Sequence, residues 1–119
     1  MQKILSQLKN YFQINTVSNN IDLKQEYLSI IIEAAKKVSA INRIKIFGSR
    51  AKGTARETSD IDIALYFEKE KTTSDLAKFY GILDDSDIPY LFDCVTVDEF
   101  LDEKMRENIE RDGILIYKK

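Results

Sequence analysis

Gly48-Ser49 and Asp60-Ile61-Asp62 stand ten residues apart inside the segment IKIFGSRAKGTARETSDIDIALYF. A tight Gly-Ser turn after an apolar run offers backbone N–H donors and a hydroxyl, the groups that hold phosphate. Asp60 and Asp62 fall on one side of a strand, because strand side chains alternate with a period of two. Ile61, Ile63 and Leu65 then face the core. Hard oxygen ligands of this kind suit Mg²⁺, which is usually held by one or two carboxylates together with a substrate's phosphates. Two carboxylates about 4 Å apart repel by about 4 kcal/mol at an effective dielectric near 20, and a cation turns that repulsion into a binding site. A lone Asp-x-Asp is more often solvated surface. The upstream Gly-Ser turn is what makes this pair read as a site.

Rival readings of the turn are weaker. Gly48 ends the run Ile44 to Phe47, so it reads equally as a strand terminator, with Ser49 as a helix N-cap. Gly48 and Gly53 also match the start of a P-loop, but Thr54 stands where that motif needs Lys. A Ser-His-Asp triad is excluded, since the chain has no histidine. Phosphate contact by the Ser49 amide and hydroxyl is the reading that also accounts for Asp60 and Asp62.

This combination resembles the signature of the DNA polymerase β-type nucleotidyltransferase superfamily. More narrowly, the chain is similar to the minimal nucleotidyltransferases, often encoded beside a HEPN-domain protein as a toxin–antitoxin pair. The resemblance runs from about Ile21 to Lys119. It implies an α/β (α+β) polymerase β-like fold with a mixed sheet flanked by helices, and a minimal nucleotidyltransferase domain over 21–119. Residues 1–20 then form an amphipathic helix and linker. The resemblance also implies a third carboxylate on a neighbouring strand. Pro89 to Val97 reads as that strand, with Pro89 at its start where a missing N–H is tolerated. Asp93 is the only charge within it. By parity it opposes Phe92 and Cys94, which suit the core. Asp84, Asp85 and Asp87 form a turn-like cluster and read as solvated.

The resemblance further implies ATP as substrate, two Mg²⁺ ions at Asp60, Asp62 and Asp93, and transfer of AMP. Gly48, Ser49, Arg50 and Lys52 are the implied nucleotide-binding residues. The implied acceptor is a tyrosine hydroxyl of a HEPN toxin, with the chain acting as antitoxin in a homo- or hetero-oligomer. A competing expectation, from a different class, is a binding module that neutralises the partner by occlusion. Three convergent carboxylates favour the enzyme. A metal-dependent phosphohydrolase is a weaker third reading.

Composition bounds these readings. At 119 residues the chain is one domain, small for an enzyme that must also grip an acceptor, so a partner is expected to complete the site. A net charge of −2 and a pI near 5.2 argue against broad electrostatic binding of nucleic acid. Arg43, Lys45, Arg50, Lys52 and Arg56 are expected to form a local positive rim where a triphosphate lies. The single Cys94 permits no internal disulfide and suits a reducing compartment, and the lack of a Cys/His cluster argues against structural zinc. No run approaches the length of a membrane span, and no signal-peptide core opens the sequence, so a cytoplasmic protein is expected.

The elements that must position these residues follow from periodicity. Ile4, Leu5, Leu8, Tyr11 and Phe12 form a helical stripe over 2–13. Asp22 is expected to cap a second helix, with Gln25 three residues on. In it, Leu23, Tyr27, Ile30, Ile31, Ala34 and Val38 share a face. A strand over 42–47, the Gly-Ser turn with a short helix, and a strand over 60–67 follow. Leu76, Phe79, Tyr80 and Leu83 mark a third helix. After the strand over 89–97, residues 98–112 read as a helix with Leu101, Met105 and Ile109 inward. Gly113 ends it, and Ile114 to Tyr117 reads as a last strand.

Overall fold

A computed structural model describes residues 21–68 and 73–119. The stripe expected over 2–13, and with it the segment 1–20, lies outside the described residues. The described elements run α1 (Gln25–Lys36), β1 (Ile41–Phe47), α2 (Ser49–Lys52), β2 (Ile61–Phe67), α3 (Thr73–Asp84), β3 (Phe92–Thr96), α4 (Glu103–Asp112) and β4 (Ile114–Lys118). The sheet is mixed, in the order β3-β2-β1-β4. β1 lies antiparallel to both β2 and β4, while β2 and β3 are parallel.

Alternation fixes the register. Ile44, Ile46, Ile61, Ile63 and Leu65 are fully buried against α1 and α3 residues such as Leu28, Ile31 and Phe79. Burying one such side chain stabilises the fold by about 1.5–3 kcal/mol. A slip by one residue would turn the whole set to the opposite face. That opposite face is also covered at one end, where Phe47, Ala64 and Ile109 form a second buried cluster under α4. Leu101 and Met105 pack against it as expected.

Several boundaries and contacts differ from expectation. The buried stripe of α1 is Leu28, Ile31, Ile32, Ala34 and Ala35, with Tyr27 and Ile30 at its margin. Helical spacing from Leu28 selects this set, because β1 and α3 flank it on both sides. Asp22 does not cap α1. Lys24 holds the N-cap position without a side-chain cap bond, and the Asp22 backbone pairs with Arg50 instead. β3 is shorter than the expected 89–97, although the Leu91 carbonyl still accepts from Ile61 N–H at 2.9 Å. α4 starts at Glu103, where the Asp102 side chain accepts from Met105 N–H at 3.2 Å. Residues 98–101 form a turn on Asp98 instead of a helical start. Gly113 ends α4 in an extended conformation, φ −66°, so close approach rather than left-handed geometry calls for glycine there. A Cβ would run into the Ile109 carbonyl and lie 3.2 Å from Lys45 Cδ.

Candidate active site

Three chain segments meet at one end of the sheet. Phe47, the last residue of β1, pairs across the ladder with Asp62 on β2. Asp62 pairs in parallel register with Asp93 on β3. In-register residues on adjacent strands are about 4.8 Å apart and point to the same face, so the two carboxylates stand side by side. They occupy the end of the second face that the Phe47–Ala64–Ile109 cluster leaves open. Asp60 sits one residue before β2 and is exposed.

Gly48 brings the turn hard against this pair. Its φ of 68° and ψ of −154° belong to a region that side chains of L-residues disfavour. A Cβ there would overlap the Asp62 carboxylate and lie 3.0 Å from its Cγ. Only glycine lets the backbone come this close. The turn is closed by Ala51 and Lys52 N–H groups, each donating to the Gly48 carbonyl at 3.1 Å. Earlier amides at a helix start have no intrahelical acceptor, which leaves them for a ligand.

Asp62 is half-buried, and its pKa is raised from 3.8 to about 6. Burial is the largest cause, followed by the charges of Asp93 and then Asp60. All three sequence-predicted carboxylates therefore act on one point. Among the described residues, no group of three His, Cys, Asp or Glu side chains is close enough to form a metal cage. Mg²⁺ takes one or two carboxylates and completes its shell with water and substrate phosphates. A carboxylate disfavoured as an anion beside two others is a place where a divalent cation relieves strain. Cys94, on the other side of β3, is not part of the site. Burial pushes its thiol up to about 12, and its N–H donates to the Tyr80 hydroxyl at 3.2 Å.

The positive rim is not formed as expected. Arg50 is 4% exposed and turned away from the turn, its donors spent on the carbonyls of Ser59 and Asp22. One residue on from Ser49 is about 100° around a helix, which aims Arg50 into the protein. The expectation that the Arg50 side chain is a nucleotide ligand is therefore corrected. Arg43 and Lys45 lie over the Tyr66 ring, at 4.3 and 5.6 Å from its centroid. Arg43 is four strand positions from Phe47, about 13 Å along the sheet. Lys52 stays exposed on α2. The Arg50 network was missed by sequence reasoning. Its one available signal was a basic residue directly after Gly-Ser.

Ser49, half-exposed at the head of α2, is expected to matter modestly. Ser49→Ala should weaken triphosphate binding by about 0.5–1.5 kcal/mol, or more because the acceptor is charged. Isothermal calorimetry with ATP and Mg²⁺ measures it, and unchanged affinity removes the hydroxyl from the site.

Known proteins resemble this chain in sequence and in fold. A family profile described as Polymerase beta, Nucleotidyltransferase covers residues 29–119. Over 90 residues the chain is 29% identical to Probable protein adenylyltransferase MntA of Haemophilus influenzae, spanning 73% of this chain and 79% of that protein. A solved complex of the tri-AMPylated Shewanella oneidensis HEPN toxin with its MNT antitoxin superposes with a TM-score of 0.61. That match has 17% identity and covers 82% of this chain and 74% of the other. A toxin–antitoxin crystal structure with AMP-PNP superposes with a TM-score of 0.59 at 21% identity, over 77% of this chain and 73% of the other. At such identities the two structures establish the fold. The family profile spans every strand of the sheet and every carboxylate of the site, and the chain belongs to the polymerase β nucleotidyltransferase family.

Proposed function

We propose that this nucleotidyltransferase moves AMP from ATP onto a tyrosine hydroxyl of a HEPN-domain toxin, in the cytoplasm, as the antitoxin of the pair. The observation that carries the reading is the approach of the Gly48 backbone to Asp62, itself in register with Asp93. The family supports nucleotidyl transfer. The name of the MntA relative and the tri-AMPylated toxin of the solved complex support the donor and the acceptor class.

Each residue then has a task. The Gly48-Ser49 turn holds the β- and γ-phosphates through its backbone amides and the Ser49 hydroxyl, with Lys52 adding charge from α2. Asp60 and Asp62 would hold Mg²⁺ with Asp93 alongside. Bound there, Mg²⁺ would neutralise charge on the phosphates and lower the pKa of the acceptor hydroxyl. Asp93 is exposed where an acceptor must approach, and its carboxylate takes the hydroxyl proton. The acceptor oxygen bonds to the α-phosphorus, the bond from that phosphorus to the bridging oxygen breaks, and pyrophosphate leaves.

Asp93→Asn separates binding from transfer. Asp60 and Asp62 remain, so ATP affinity should fall little, while loss of general-base help should slow transfer by about 10²–10⁴-fold. The test incubates the protein with ATP, Mg²⁺ and a HEPN partner and weighs both chains by mass spectrometry. Partner labelling by Asp93→Asn at the parent rate would reduce Asp93 to a surface residue. No labelling by the parent, with the partner still blocked when ATP is absent, would establish occlusion instead.

A further inference from the structure

Arg50 is a buried cation held mainly by backbone oxygens. Its Nε and Nη2 donate to the Ser59 carbonyl at 3.1 and 2.7 Å, and Nη2 also reaches the Glu57 carbonyl at 3.4 Å. Its Nη1 donates to the Asp22 carbonyl at 2.8 Å. The guanidinium carbon lies 4.2 Å from the centroid of the Tyr90 ring. Tyr27 meets the same ring edge-on, with centroids 5.9 Å apart and an interplanar angle of 84°.

What this network ties together is specific. Arg50 belongs to α2, two residues after Gly48. Ser59 directly precedes Asp60. Tyr90 and Leu91 lead into β3 and Asp93, and the Leu91 carbonyl accepts from Ile61 N–H at 2.9 Å. Arg50 thus joins the phosphate turn, which its own backbone continues, to the entry of β2 and the entry of β3, which its guanidinium touches. A lysine in the same place is a point charge and cannot bridge all of these at once. The loop over 53–60 is otherwise exposed for most of its length and is pinned chiefly by short-range bonds such as Arg56 N–H to the Ser59 hydroxyl at 2.9 Å.

We infer that the Arg50 side chain is a positioning group for transfer, holding Asp60, Asp62 and Asp93 at working distance from the Gly48-Ser49 turn without itself touching the nucleotide. The inference rests on the nucleotidyl-transfer reading above. Reacting geometry tolerates little error, and a shift of about 1 Å costs about 10²-fold in rate. Loss of the clamp should therefore appear in kcat. A phosphate ligand would appear in the ATP KM instead.

The test uses the full chain with ATP, Mg²⁺ and a HEPN partner. Arg50→Lys should lower kcat by about 10–100-fold while the ATP KM stays within about threefold. Hydrogen exchange at the Asp60 and Ile61 amides should quicken by about tenfold or more, as the loop loses its anchor. Tyr90→Leu keeps every guanidinium bond and removes the stack, together with the edge contact to Tyr27. It should move both readouts the same way by less, and it stands in if Arg50→Lys does not fold. An ATP KM that rises more than kcat falls would overturn the inference and make Arg50 a phosphate contact. Unchanged kcat would overturn it as well. The exchange measurement needs no transfer. If the parent transfers nothing, the functional reading fails, and unchanged exchange in Arg50→Lys would then sink the clamp too, while faster exchange would uphold it.

Discussion

Asp62→Asn is expected to abolish transfer and, in metal-free protein at neutral pH, to raise the melting temperature. Few substitutions that kill an enzyme also stabilise it, and the reason here is local. Asp62 is half-buried between Asp93 and Asp60, so its anion is disfavoured by burial first and by those charges second. A neutral amide of nearly the same shape removes the penalty. A shift from 3.8 to about 6 sets the upper bound. Discounted for partial exposure, the gain is about 1 kcal/mol, or about 3–5 °C for a domain of this size.

The sign of the pH dependence follows from the direction of the shift. A carboxyl whose folded pKa is raised favours the fold while protonated, so the penalty is absent below about pH 4. It grows as pH rises toward 6 and is complete above that. Asp62→Asn should therefore melt with the parent at pH 4 and above it at pH 7. Added Mg²⁺ should reverse the order at pH 7, because only the parent gains from binding it there. Asp62 must also be ionised to serve as a ligand, so Mg²⁺ should bind the parent more weakly as pH falls below about 6. Differential scanning fluorimetry across pH, with and without Mg²⁺, checks all of this. A variant that melts below the parent at pH 7 without metal would show that Asp62 is held by favourable contacts and not by enforced proximity.

What the sequence made legible was what alternation and turn chemistry encode locally. Ile61, Ile63 and Leu65 on one side and Asp62 on the other follow from a period of two, as does Asp93 opposite Cys94. The order of the strands, with β4 beside β1 and β3 at the other edge, is not a local property. The resemblance implied a mixed sheet and left that order open. Arg50 shows the limit most clearly. A basic residue after Gly-Ser reads as a phosphate ligand, because one-dimensional proximity to the turn is all that the sequence displays. In the fold the helical step carries its side chain inward, where distant residues 22, 59 and 90 supply the partners. Ala64 was equally opaque. It lies on the Asp62 side of the strand, and nothing near it in sequence says that α4 will cover it. Asp22 has a good capping pattern, yet tertiary pairing with Arg50 takes its backbone elsewhere.

Gly48→Ala should lose triphosphate binding and transfer together, and in contrast to Asp62→Asn it should destabilise the protein. Two separate costs are involved. A side chain at φ 68°, ψ −154° is strained whatever surrounds it, by about 1–3 kcal/mol. The added methyl also overlaps the Asp62 carboxylate, so the turn, Asp62 or both must move. Either displacement separates the phosphate amides from the carboxylates, and about 10²-fold or more in rate should go with it. A double-mutant cycle divides the two costs. Asp62→Ala removes the carboxylate and leaves only Cβ, 3.3 Å from the new methyl, a distance that a small shift relieves. In that background Gly48→Ala should cost less stability than in the parent, with a coupling of about 1 kcal/mol or more, while the strain of the positive φ persists. Urea melts of the four proteins give the coupling directly. Strictly additive costs would mean that the turn and Asp62 are not in contact, and the phosphate turn would then have to be placed away from the carboxylates.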